Sequence, residues 1–213
     1  MKTLYIIRHG ETDFNKQSIV QGSGVDTDIN EVGKAQAQAF FEYYQHVHFD
    51  KIYISTLKRT AQTIEPFLAK KIPVEKCTYL NEISWGINEG LPISPERDAF
   101  FQYMIAEWKK GNLNIGIEGG ETPLQVQARQ QHFIDLILQR PEERTILICT
   151  HGRALRILLA TLLNYPLSEM DTFEHTNTCL YKLHYTGSMF TVELANDTTH
   201  LQKLHNSFQL HTS

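Results

Sequence analysis

Two apolar runs of this 213-residue chain end in the same way: Leu4, Tyr5, Ile6 and Ile7 lead into Arg8, His9 and Gly10, and RTILICT (144–150) leads into His151 and Gly152. Short continuous apolar runs bounded by polar residues are the pattern of strands buried on both faces of a parallel sheet. Ligands of such sheets bind beyond the carboxyl ends of the strands, so both histidines are expected at one crevice. A lone Arg-His pair reads as an ion-paired arginine and a histidine satisfied by a carbonyl; two histidine-glycine junctions converging at one sheet edge point to a site. Gly152 opens a helix, whose first amides and positive end favour an anion. Arg59, in STLKRTAQT (55–63), stands on the first turn of a helix that also follows a strand. With Arg8 it gives two planar guanidinium forks, a donor arrangement that suits phosphate oxygens.

Phosphate oxygens repel an attacking nucleophile until they are neutralised. A neutral imidazole carries no charge to be repelled, and a hydrogen bond to its other ring nitrogen fixes the tautomer and aims the lone pair. The departing alkoxide then needs a proton from a carboxylic acid. Glu82, in YLNEISWG after an apolar stretch and three residues before Trp85, is assigned that role. Glu11 is the competitor by proximity in sequence, and the plain alternative for either is a surface carboxylate or a partner for Arg8.

The elements that must position these groups alternate. Asn30 caps a helix carrying Val32, Ala35, Ala39, Phe40 and Tyr43 on one face, KIYIS (51–55) reads as the next strand, and LKRTAQTIEPFLAKK as a helix that Pro66 kinks or shortens. VEKCTYLNE leads to another strand or extended segment. Ser94 and Pro95 open a helix over 95–110, and Thr122, Pro123 and Gln125 open another that ends near Arg140. A helix from Gly152 ends near Asn164, and TCLYKLHY and MFTVELA, separated by Thr186, Gly187 and Ser188, read as a hairpin at a sheet edge. The polar residues from Asp197 are expected to be loosely held. The reading is an α/β fold of three layers, a mostly parallel sheet flanked by helices, forming a single domain over 1–213 with an inserted helical cap at about 84–122.

Composition narrows the function classes. A formal charge of -4 offers no broad basic surface, so no nucleic acid or anionic lipid partner is expected and any anion site must be local. Cys77, Cys149 and Cys179 are odd in number, far apart and set among apolar residues, as buried thiols in a reducing compartment are. With no secretory or membrane-spanning run, the expected location is cytoplasmic. The ten histidines include His46 and His48 near a helix end and scattered His175, His184, His200, His205 and His211, most of them read as surface residues. None has metal-ligand spacing with a carboxylate, so neither metal nor other cofactor is expected. Cys149 precedes a helix as a phosphatase thiolate would, but the position that would carry that chemistry's arginine is Leu155, and Cys149 reads as core.

RHGET (8–12) with Asn15, Gln21-Gly22, the run from Ser55 to Thr63, LNEISWG around Glu82, GGET (119–122) and THG (150–152) together resemble the histidine phosphatase superfamily, with its phosphoglycerate-mutase-like fold, from residue 3 to about residue 185. The resemblance implies His9 as the nucleophile that becomes phosphohistidine, Arg8, Arg59 and His151 as the phosphate pocket, and Glu82 as proton donor and later base for water. It implies Asn15 and the Gly152 amide as phosphate contacts and adds Gln21 and Gly22 to the binding residues; Arg156 is given a structural ion pair. Where a proline is more usual before Ile29, Asp28 stands here, a change in a turn. Mutases of that family grip a substrate carboxylate with arginines and lysines in the insert after the acid. Here the insert has Arg97, Lys109 and Lys110 but no paired arginines, and is aromatic at Phe100, Phe101, Tyr103 and Trp108. Hydrolysis of a small phosphorylated metabolite is therefore expected, with mutase-type transfer and a non-catalytic phospho-ligand binder as alternatives.

Overall fold

The computed structural model describes residues 1–202 and 204. Its sheet has six strands in the order β3-β2-β4-β1-β5-β6: β1 (Lys2–Arg8), β2 (Lys51–Ile54), β3 (Val74–Lys76), β4 (Thr145–Thr150), β5 (Leu180–Tyr185) and β6 (Phe190–Asp197). The first four run parallel, and β5 and β6 are antiparallel additions. The helices are α1 (Asp13–Lys16), α2 (Glu31–Tyr44), α3 (Lys58–Ile64), α4 (Pro95–Lys109), α5 (Pro123–Leu138) and α6 (Gly152–Leu162).

Alternation along the strands divides the core into two layers. Leu4 and Ile6 of β1, with Ile146 and Ile148 of β4, face Val126, Phe133 and Ile137 of α5 and Leu155, Leu158 and Leu159 of α6. Tyr5, Ile7, Leu147 and Cys149 face the opposite way, against Phe40 and Tyr44 of α2 and Ile64 of α3. Each fully buried aliphatic side chain contributes about 1.5–3 kcal/mol. Because successive side chains serve different layers, a one-residue slip of β1 would exchange its two faces. Register is thereby fixed, with Arg8 opposite Thr150, and the His9 amide donates to the Thr150 carbonyl at 3.0 Å. Both histidine-glycine junctions thus leave the same sheet edge side by side.

Local chemistry explains the helix boundaries. Asn30 caps α2 by accepting from the Gly33 amide, and Thr122 with Gln125 forms a reciprocal capping box at α5. Pro66 does shorten α3, which passes at Glu65 into a 3-10 turn closed by Lys71 in the left-handed region (φ 57°). The segment VEKCTYLNE contributes only a three-residue strand before turning. Helix α4 buries Met104 and Trp108 in the same layer as Trp85 and Ile117, while Phe100 and Tyr103 stay exposed. No helix among the described residues is long and apolar enough to cross a membrane.

One expectation needs correction. The segment after Asp197 is not loosely held at its start: the turn Thr199–Leu201 buries His200 and Leu201, His200 packing edge-on against Phe40 with ring centroids 5.1 Å apart. Among the histidines read mostly as surface residues, His200 is buried at 4% exposed, and His46 and His48 are exposed as expected. His205 and His211 lie outside the described residues. An apolar face on the turn, rather than its average polarity, decides where it goes.

Burial pushes the His200 imidazole from 6.5 down to about 4. A base that resists protonation only when folded leaves the unfolded chain binding more protons between those pH values, so stability is retained above pH 6.5 and lost as pH falls towards 4. Unfolding of a His200→Phe variant, followed in urea at several pH values, should show a flatter acid dependence. Of the decline between pH 6.5 and 4, about 3 kcal/mol should disappear.

Candidate active site

Three adjacent strands, β2, β4 and β1, deliver the site. His9 lies just beyond β1 and is 2% exposed. Its Nδ1 is 2.7 Å from the Gly10 carbonyl, so Nδ1 carries the hydrogen and donates, leaving the Nε2 lone pair free. Burial, then the charges of Arg59 and Arg8, hold this imidazole well below the usual histidine range. A neutral, oriented base results.

His151 is the N-cap residue of α6, completely buried, with its ring 5.1 Å from that of His9. Arg59 Nε donates to its Nδ1 at 3.1 Å, which leaves Nε2–H to donate to the Ser55 hydroxyl at 2.8 Å. Burial, then Arg59, His9 and Arg8, keep His151 neutral as well. Ser55, at the end of β2, also accepts from the Leu57 amide and pairs with the Thr60 hydroxyl, fixing the start of α3. That start aims Arg59 inward, where it is fully buried and donates from Nη1 to the Val25 carbonyl (2.8 Å) and from Nη2 to the Gly22 carbonyl (3.1 Å). Burial pulls its guanidinium down to about 10, still cationic at neutral pH. Three of its five N–H groups are engaged, so two remain for a ligand.

Arg8 is the second cation. Its Nη1 faces His175 Nδ1 at 3.3 Å, and its Nε is buried without a hydrogen-bond partner among the described residues. Neither Arg8 nor Arg59 forms an ion pair with a described carboxylate, although Arg129, Arg140, Arg153 and Arg156 all do. Arg156 takes the structural role expected of it, reaching Asp171 at 2.5 Å and the Phe173 carbonyl at 2.9 Å.

Glu82 is 6% exposed and lies over the first turn of α6. Oε1 accepts from the amides of Ile83 (2.9 Å) and Ala154 (2.8 Å), and Oε2 from that of Arg153 (3.1 Å). The sequence suggested that this helix start would be open to an anion; two of its amides instead hold the protein's own carboxylate. The GGET segment keeps Glu82 in place. Glu121 accepts from the Ser84 amide (2.9 Å) and returns its own amide to the Ser84 carbonyl (2.9 Å), while Arg129 bridges Glu121 and the Glu82 carbonyl. A Cβ at Gly120 would come within 2.6 Å of the Ser84 carbonyl, so only glycine allows the two loops to meet. Glu11, the competing acid, points instead to Asn30, which donates to its Oε1 at 2.9 Å.

Asn15 completes a capping box with Thr12, its Oδ1 accepting from the Thr12 amide. Gln21 Oε1 accepts from the hydroxyls of Thr12 (3.2 Å) and Thr27, and Gly22 enters through the carbonyl that holds Arg59. Cys149 is buried, and burial raises its thiol, consistent with a packing role.

Two residues here were given no role from sequence. Asn177 Nδ2 donates to the His9 carbonyl (3.0 Å) and to Asn15 Oδ1 (3.2 Å), and the Thr178 amide donates to the Arg8 carbonyl (3.1 Å). His175, one of the scattered histidines read mostly as surface residues, lies against Arg8 and α6: a Cβ on Gly152 would approach its Cε1 to 2.8 Å. The pairing of Ile7 with Leu180 explains both, because the residues preceding an antiparallel neighbour of β1 must land at the β1 carboxyl end. A hairpin assigned next to β1 would have placed EHTNT (174–178) there; the hairpin was legible, its neighbour was not.

The matched family model is "Histidine phosphatase superfamily (branch 1)", over residues 4–198. The chain belongs to that superfamily. Among similar proteins, phosphoserine phosphatase 1 of Hydrogenobacter thermophilus is 28% identical over 94% of this chain and 95% of its own. A probable phosphoglycerate mutase GpmB of Yersinia pestis is 30% identical, with 94% and 95% covered. A mycobacterial glucosyl-3-phosphoglycerate phosphatase, solved with VO3, superposes with a TM-score of 0.82 at 25% identity, covering 93% of this chain and all of that one. Superfamily membership, together with phosphatase-named relatives, makes this protein a phosphatase-type enzyme, as its ordered motifs implied.

Burial, then Arg8, pushes His175 down to about 3, so at neutral pH its Nδ1 is an acceptor for the Arg8 guanidinium. His175→Ala should weaken inhibition by orthovanadate about tenfold, the scale of one hydrogen bond to a charged group. His175→Asn, which offers an acceptor at a similar reach, should recover most of it.

Proposed function

We propose that this protein hydrolyses phosphomonoesters through a phosphohistidine at His9. One observation carries the reading: a fully buried Arg59 guanidinium and a partly buried Arg8 whose Nε is sealed from solvent, neither paired with a carboxylate among the described residues, flank a neutral histidine whose Nδ1, not Nε2, is engaged. Buried cations of this kind call for an anion of matching shape, and a tetrahedral phosphate beside Nε2 supplies it.

In the proposed reaction Arg8, Arg59, Asn15 Nδ2 and the Gly152 amide bind the phosphate oxygens, and His151 orients Arg59 beside the nucleophile. The His9 Nε2 lone pair attacks phosphorus, the ester P–O bond breaks, and its electron pair leaves on the alkoxide oxygen. That oxygen takes a proton from Glu82. Oε2, which has a single amide partner, is the oxygen left to carry the proton. Water then attacks the phosphohistidine and gives a proton to Glu82, the N–P bond breaks, and its pair returns to Nε2 as phosphate departs. Gly22 holds Arg59 through its carbonyl, and Gln21, next to it in the chain, ties Thr12 to Thr27. No cofactor enters the scheme, and activity unchanged by a chelator would separate it from metal-assisted hydrolysis.

Hydrolysis is preferred to mutase transfer because the cations of the insert do not converge. Lys110 is paired with Glu107 at 2.6 Å, Lys109 lines a different recess beside Asp171, and Arg97 donates to the Pro92 carbonyl at 3.1 Å. The protein acts in this reading as one domain, with residues 84–122 as the cap, and three buried free thiols fit a cytoplasmic location.

His9→Ala should lower kcat by at least about 10⁴-fold and abolish trapping of a phosphorylated chain that is stable to alkali and lost in acid. Retained turnover in that variant would refute the assignment; neither trapping nor turnover in the parent, with phosphate esters still bound, would favour a binding protein. Glu82→Gln should slow alkyl esters by roughly 10²–10⁴-fold and nitrophenyl esters far less, since only poor leaving groups need the proton. Because burial and the two arginines depress His9 below 6.5, the acid limb of kcat/KM, corrected for ionisation of the ester, should lie below pH 6.5.

A further inference from the structure

A cavity of about 200 Å³ lies between α4 and the segment leading to Gly22. Its walls are mainly Val20, Trp85, Ile93, Phe101 and Ile117. Trp85 is fixed from behind, its ring stacked on buried Trp108 at 6.4 Å and met edge-on by Phe101 at 5.6 Å. Trp108 is itself anchored by donating Nε1 to the Ile115 carbonyl at 2.8 Å. The polar lining includes one cation, Arg97, with Asp98 beside it, so its formal charges cancel.

The cavity is joined to the reaction centre through two neighbouring residues. Gln21 lines it and accepts from Thr12, in the loop that follows His9; the Gly22 carbonyl accepts from Arg59. Trp85 stands three residues after Glu82, on the loop clamped by GGET. The segment at 19–22 is tied to the insert by the Ile19–Pro92 bridge and by the Val20 amide donating to the Leu91 carbonyl at 3.0 Å. The recess thus borders, through Gln21 and Trp85, the two loops that carry the candidate site.

We infer that the recess receives the alcohol part of the substrate and that this part is apolar, an alkyl or aryl group rather than one bearing a carboxylate or a second phosphate. The inference rests on the phosphatase reading above. A charged leaving group would lose its hydration against tryptophan, phenylalanine and isoleucine with no net countercharge. An apolar one gains from every methylene covered.

Alkyl phosphates test this without changing the leaving-group chemistry. From ethyl through butyl to hexyl phosphate, kcat/KM should rise roughly two- to fourfold per methylene. Phosphoserine and 3-phosphoglycerate should fall below butyl phosphate. Ile93→Asp, at a position 55% exposed, and Phe101→Ala should flatten the series while leaving turnover of methyl phosphate unchanged. A flat series in the parent enzyme, or preference for 3-phosphoglycerate, would overturn the apolar recess and leave the phosphatase reading standing. Failure to hydrolyse any of these esters or nitrophenyl phosphate would overturn that reading first.

Discussion

Two guanidinium groups at one sheet edge with no carboxylate partner among the described residues are the constraint on which the candidate site depends. Arg8 and Arg59 sit where β1, β4 and β2 end together, and the nearby carboxylate of Glu82 is spoken for by three backbone amides rather than by either guanidinium. Burial and mutual repulsion both oppose this arrangement. It is tolerated because carbonyls of Gly22 and Val25 and the ring nitrogens of His151 and His175 accept from the two groups, and because the surrounding sheet over-determines their positions. Elsewhere in the same chain arginine is handled differently: Arg153 and Arg156 share the carboxylate of Asp171. On the proposed reading, the contrast separates a structural cation from one reserved for a ligand.

Glu82 shows how the fold places opposite charges close together without letting them cancel. A carboxylate free to swing would pair with Arg8 or Arg59 and fill the space a phosphate needs. The amides of Arg153 and Ala154 compete for it from a helix terminus whose dipole favours negative charge, and GGET holds its loop from the other side. Helix α6 thus acts through the acid, while His151, one residue ahead of it, acts through Arg59. One helix start orients both halves of the proposed chemistry.

How much of this the sequence carries varies by the range of the contact. Buried strands followed by His-Gly were legible because continuous apolar runs and the residues at their ends are local patterns, and the caps at Asn30 and Thr122 were legible for the same reason. Glu82 could be singled out, but not its seat on α6, which depends on amides seventy residues away. His175 and Asn177 have no periodicity to mark them; they matter only because β5 pairs with β1. His200 looked like part of a polar tail, and only the aromatic face of α2 turns it inward. Sheet neighbours, unlike strands, are not written in a local pattern.

The same charges that poise the free enzyme change their effect once an anion arrives. In the free enzyme burial and two guanidinium groups keep His9 unprotonated, which preserves the lone pair but also makes it a weaker base. A bound phosphate dianion offsets much of that positive field, so in the proposed reaction the imidazole regains basicity at the moment its lone pair is already aimed at phosphorus by the Gly10 carbonyl. Protonation from solvent is then the competing event, and the closed surroundings of a residue 2% exposed oppose it. An apolar leaving group in the neighbouring recess would exclude water further, strengthening every electrostatic contact made by the phosphate. Substrate binding and nucleophile activation are on this view one electrostatic step.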